Sequence, residues 1–170
     1  VLPSIPEDNL VMYLPLQNGT AATTGQTITT TGDISFTQQQ GIACMRLDGN
    51  SYLGISPLGS EFQFSTNTQW TISFKVCFDR TSGSDLEGLL CSAEPNTNGT
   101  FFIYHYLNGW SSSVSNSLGV GVNAVNEYTT SSGIFTAGVW NTVTIVRNGS
   151  SLKIVVNGAQ YTGGSSSNVT

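Results

Sequence analysis

The chain has 170 residues, of which five are Lys or Arg and ten are Asp or Glu, giving a net charge of −5. That length suits one well-packed domain, and Ser, Thr, Asn, Gly and Gln leave it a neutral, hydrogen-bonding surface. Scattered cations without a basic stripe argue against a nucleic-acid partner, and no apolar run approaches the roughly 20 residues that span a bilayer, so membrane insertion is not expected.

Residues 1–9 carry prolines and acids in place of a positive-then-apolar leader and read as an N-terminal extension; the opening Val1 suggests a processed chain or a segment of something longer. Leu10, Met12, Leu14 and Leu16 alternate on one face of an expected first strand. Residues 20–27 read as a loop, and Asp48-Gly49-Asn50 as a turn. After Trp70, the side chains of Ile72, Phe74, Val76 and Phe78 alternate with Ser73, Lys75 and Cys77, the signature of a strand with one buried face. Loops are expected at 81–85 and 110–117, with a strand over 101–107 between them. Two late apolar runs, 143–146 and 152–156, flank Asn148-Gly149, a dipeptide that tolerates positive φ in a tight hairpin, and Asn157-Gly158 signals a second turn.

No helical period of 3.6 appears. Eight to twelve short strands are expected, which is an all-β pattern: an antiparallel two-sheet β-sandwich over residues 10–162, with 163–170 as a flexible tail or truncated loop. Cys44, Cys77 and Cys91 share no metal-binding spacing and read as small buried hydrophobes, with one disulfide plus a free thiol as the other reading.

Residues 138–158, G-V-W-N-T-V-T-I-V-R-N-G-S-S-L-K-I-V-V-N-G, resemble the hairpin of laminin-G-like, concanavalin A-like jelly-roll domains. Residues 10–16 (L-V-M-Y-L-P-L) resemble that family's opening strand, 45–53 (M-R-L-D-G-N-S-Y-L) its Asp-Gly turn, and 71–78 its central strand. From the residues themselves, Trp140 is expected to close one end of the core. Asn141 stands where the family often has His. The family's closing strand is not found before Thr170, so the expectation is a fragment or a strand supplied by another chain. The resemblance implies an extracellular, cell-surface or virion-surface setting.

Catalysis is not expected. Hydrolases of this fold place three acids on one strand, whereas Asp85 and Glu87 have no third partner. His105 is the sole histidine, with no serine or cysteine motif beside it, and reads as structural. No cofactor is required. The resemblance implies a Ca²⁺ option with Asp48 and Asn50 as the local candidates, against the simpler reading of Asp48 as a turn acceptor. Sugar recognition needs an aromatic surface beside amides. Tyr104, Tyr106, Asn108, Trp110 and Tyr128 have that composition, although Tyr104 and Tyr106 read equally as core. Four Asn-x-Ser/Thr sequons, at Asn18, Asn98, Asn148 and Asn168, read as chance in a chain so rich in Asn, Ser and Thr, and mean nothing in a bacterial or phage host.

The expected function is a non-catalytic carbohydrate-binding or adhesion module whose partner is a glycan or cell-surface polysaccharide. The alternative is a purely structural virion domain, such as a capsid decoration, spike or fibre, contacting other domains or copies of the same protein. A degenerate hydrolase comes third.

Overall fold

A computed structural model describes residues 10, 12–19, 24–56, 69–83, 86–92, 101–107, 115–122, 125–149 and 151–161, with the backbone alone at 122 and 125–127. Among the described residues there are twelve strands and no helix, and all strand pairs are antiparallel. The chain divides into two compact units, Val1–Gln63 and Phe64–Thr170.

The first unit holds two two-stranded sheets. Strand β1 (Thr27–Thr31) pairs with β4 (Tyr52–Ser56), and β2 (Ser35–Gln39) with β3 (Ile42–Arg46). The β2–β3 hairpin closes through Gln40 and Gly41, both left-handed at φ 53° and 77°, the geometry of a type I′ turn. Gln is an unusual first residue for such a turn, so no local signal marks it in advance. The expected strand over residues 10–16 is not there: residues 10 and 12–16 are half-buried but unpaired in any sheet, and Leu16 turns to φ 47° directly after Pro15. A proline followed by a left-handed residue cannot continue a ladder, whatever the hydrophobic alternation before it.

The second unit is a sandwich of two four-stranded sheets. One has the order β12–β11–β10–β5, built from β5 (Trp70–Cys77), β10 (Trp140–Asn148), β11 (Ser151–Val156) and β12 (Ala159–Tyr161). The other is a plain meander of β6 (Leu86–Cys91), β7 (Phe101–Tyr106), β8 (Ser117–Val122) and β9 (Val125–Thr129). Inward residues of both sheets make one core: Val143, Ile145, Ile154 and Val156 from the first meet Phe101, Ile103, Leu118, Val120 and Tyr128 from the second. Trp70 joins the two layers edge-on to Phe101, with ring centroids 5.3 Å apart.

Alternation explains the first sheet well. In β5 the odd-numbered Thr71, Ser73 and Lys75 are exposed, while Trp70, Ile72, Phe74 and Val76 pack against the core. In β10, Asn141, Val143, Ile145 and Arg147 are buried. The second predicted turn forms as expected, with Asn157 and Gly158 at φ 51° and 83° between the paired Val156 and Ala159. The first is displaced by one residue, because Asn148 is the last residue of β10 and pairs with Ser151, leaving the left-handed φ of 59° to Gly149.

Two expectations are corrected. Trp140 does not close the core. It shares a face with Thr142 and Thr144, opposite to buried Asn141 and Val143, and so stands half-buried on the outside of its sheet. Nor are the cysteines buried hydrophobes: Cys44 and Cys77 are half-buried, Cys91 is exposed, and none of the three is in a disulfide. Cys77 and Cys91 sit on the edge strands β5 and β6, where one flank of a side chain is always left open.

Candidate functional site

Strand β7 sorts its aromatic residues onto two faces. Phe101, Ile103 and His105 point into the sandwich, and Phe102, Tyr104 and Tyr106 stand on the outer face of the meander. Tyr104 lies between Gly88 on β6 and Gly119 on β8, and Tyr106 between Leu86 and Ser117. A β-carbon at Gly119 would overlap the Tyr106 ring, with Cζ and the hydroxyl oxygen each 2.9 Å away; one at Gly88 would lie 3.5 Å from Cε1 of Tyr104. The glycines thus seat the two rings against bare backbone. Phe102 continues the row, its ring 5.0 Å from that of Tyr104 and tilted by 30°.

Among the described residues, this face is most open along β6. On β6, Gly88 and Cys91 are exposed and Leu86 is 37% exposed; on β8, Ser117, Gly119 and Gly121 are buried, and Phe102 is buried as well. Tyr104 and Tyr106 are half-buried between the two, so approach to the rings is from the β6 edge. Burial pushes the Tyr106 phenol above its ordinary range. Tyr128 does not join them. Paired with Val120, it is buried in the core cluster, and burial followed by the neighbouring Tyr161 raises its phenol too. Asn108 and Trp110 lie outside the described residues.

Behind the tyrosines is a buried polar chain that the sequence did not announce. His105 is wholly buried and lies against Phe78 (centroids 4.0 Å) and edge-on to Phe135 (5.2 Å). Its Nδ1 is 2.9 Å from Glu87 Oε2, and its Nε2 is 3.1 Å from Asn116 Oδ1. Asn116 Nδ2 donates to the Phe135 carbonyl at 2.7 Å, which fixes the amide with its oxygen toward the ring. The imidazole therefore donates from Nε2, and its Nδ1 faces the Glu87 carboxylate. Arg80 Nε adds a more exposed bond to the other oxygen of Glu87 at 3.1 Å. A histidine satisfied on both nitrogens inside an aromatic cage is a packing and positioning element, joining β6, β7 and the turn before β8.

Asp48 and Asn50 form the compact Asx turn. Asp48 Oδ1 accepts from the Asn50 amide and from the Ser51 hydroxyl, both at 2.8 Å, while its own amide donates to Ser51 Oγ at 3.1 Å. The Ser51 hydroxyl, then the Asn50 amide, hold the carboxyl below its ordinary range. Asp48 also borders an open groove with Asp33, Ser35 and Arg46. Among the described residues no group of three or more His, Cys, Asp or Glu side chains is gathered as a metal site. Comparison with family models, curated proteins and solved structures yields no match.

Sequence reasoning found Tyr104 and Tyr106 by their period of two. It missed Gly88 and Gly119, whose value depends on strand register, and it missed Glu87 and Asn116 as the partners of His105. The Gly-Val-Gly run at 119–121, small residues alternating on one face of a strand, was the available signal.

Proposed function

We propose that the chain is a non-catalytic carbohydrate-binding and adhesion module of laminin-G-like type, part of a larger extracellular or virion-surface protein. One observation carries this reading: Tyr104 and Tyr106 stand side by side on an outer sheet face, seated over glycines and reached from the β6 edge. A pyranose offers an apolar face to such rings and hydroxyls to the polar groups around them. Few charges on the chain suit a neutral or weakly charged ligand. The test is glycan-array binding of the whole chain, with and without Ca²⁺, beside Tyr104→Ala and Trp110→Ala. Binding that falls in Tyr104→Ala supports the site; a folded wild-type chain that binds no glycan overturns it. Ca²⁺-dependence that disappears in Asp48→Ala assigns that turn as a metal site.

A purely structural virion role is favoured by a different observation. Among the described residues, four of the six large apolar side chains that are exposed, Phe36, Ile42, Leu47 and Tyr52, belong to the first unit. Surfaces of that kind suit contacts with other domains or further copies. Subunit association of the isolated chain in sedimentation experiments, abolished by Phe36→Ser, separates this reading from the first.

A further inference from the structure

The outer face of the β5–β10–β11–β12 sheet has a composition unlike the rest of the chain. Its four strands contain no Asp or Glu, yet they hold Lys75, Arg147 and Lys153, three of the five cations in a chain of net charge −5. Arg147 points inward and donates to the Gly149 carbonyl; both lysines, the only two in the chain, are on the outer face. The same face presents Trp140. Lys75 pairs directly with Thr142, so Trp140 is its diagonal neighbour, about 7–8 Å away and within reach of a long side chain. Ser73 and Thr144 continue the row, their hydroxyls 3.0 Å apart.

We infer that this face is a second glycan site, specific for sugars that carry an acid group: a pyranose stacks on Trp140, its carboxylate or sulfate meets Lys75, and its hydroxyls bond Thr142, Ser73 and Thr144. The inference extends the carbohydrate reading to separate residues and does not depend on the tyrosine row. Charge complementarity selects the ligand, because cations stand here without any competing carboxylate on their strands. Their spacing selects the polymer. Lys153 pairs with Val146, two strands and four residues away from Lys75, or roughly 16 Å. Nucleic acid, with a phosphate about every 1.7 Å of duplex, is far too densely charged for two lysines on a net-negative chain, whereas an acidic polysaccharide intersperses charge with hydroxyls.

The test is affinity electrophoresis of the whole chain through gels holding polygalacturonate, dextran sulfate or neutral dextran, at low and physiological salt. Retardation by one or both acidic polymers, absent with dextran, is expected. Trp140→Ala should weaken it about five- to tenfold and Lys75→Gln about two- to fivefold, with a flatter salt response. Lys75 is exposed, so its variant keeps the test valid even where Trp140→Ala compromises folding. Tyr104→Ala should retain full binding. No retardation by either acidic polymer, equal retardation by dextran, or undiminished binding by Lys75→Gln overturns the inference. Loss confined to Tyr104→Ala overturns it while leaving the first site standing.

Discussion

The two sheets of the sandwich solve the same problem with different materials. The β5–β10–β11–β12 sheet alternates inward Val, Ile, Trp and Phe with outward Thr, Ser and Lys over most of its length, buries Asn141 and Arg147 on the inward parity, and contains no acid. The β6–β9 meander contains Glu87 and Glu127 but no cation, replaces bulky outer residues with Gly88, Gly119 and Gly121, and buries a hydrogen-bonded histidine among its inward residues. The first sheet is held by periodicity, which tolerates change at any one exposed position. The second is held by particular pairs, ring to glycine and imidazole to carboxylate, and is correspondingly sensitive at a few positions.

Core truncation should erase the distinction. Ile145→Ala in one sheet and Ile103→Ala in the other each empty a fully buried site, and each should cost about 2–5 kcal/mol in urea unfolding. A large inequality between them would show that one sheet contributes more to the shared core. Breaking the polar chain should affect the meander alone. Asn116→Ala strips His105 Nε2 and the Phe135 carbonyl of their partner and should cost about 1–3 kcal/mol. Glu87→Gln, which keeps an acceptor, should cost less than Asn116→Ala in the same assay.

Next comes the glycine seat. Gly119→Ala drives a methyl into the Tyr106 ring and should cost about 1–3 kcal/mol, with loss of tyrosine-dependent glycan binding. Thr142→Ala on the opposite sheet should stay within roughly 0.5 kcal/mol.

The smallest effect concerns acid. Asp48 has its folded pKa lowered below 3.8, so the turn is stabilised above the unfolded carboxylate pKa and that contribution is lost as pH falls through the folded value. An NMR titration following the Asn50 amide should show a midpoint below 3.8. A midpoint at or above it would mean that the Ser51 and Asn50 bonds are absent in solution.

These differences also decide how much was legible in advance. The central strand after Trp70 and the hairpin around Gly149 announced themselves because one face is dry and the other wet, and a period of two records that directly. The same signal misled at residues 10–16, where alternation is present but Pro15 and the left-handed Leu16 take the backbone out of a ladder. Trp140 was misassigned by weighing its size above its parity: one residue before inward-facing Asn141, it faces out. The candidate site was half visible. Tyr104 and Tyr106 follow from spacing within one strand, but the positions facing them follow from pairing β7 with β6 and β8 across loops, one of them with a register shift between Gly88 and Leu90. Glu87 and Asn116 are 18 and 11 residues from His105, and nothing local marks either as its partner.

Asn157 is held more firmly than its turn requires. Its Oδ1 accepts from the Thr142 amide at 2.9 Å and its Nδ2 donates to Asn141 Oδ1 at 2.8 Å, with Asn141 anchored in turn to the Val139 carbonyl. Asn followed by Gly is the dipeptide most prone to spontaneous deamidation, since the glycine nitrogen can attack the side-chain carbonyl and expel ammonia. Pinned at both ends, the Asn157 carboxamide is kept from swinging onto the Gly158 nitrogen. The amide clamp that aligns β10 with the β11–β12 turn therefore also sets the chemical lifetime of that turn, and the sandwich should age first at an Asn-Gly pair other than this one.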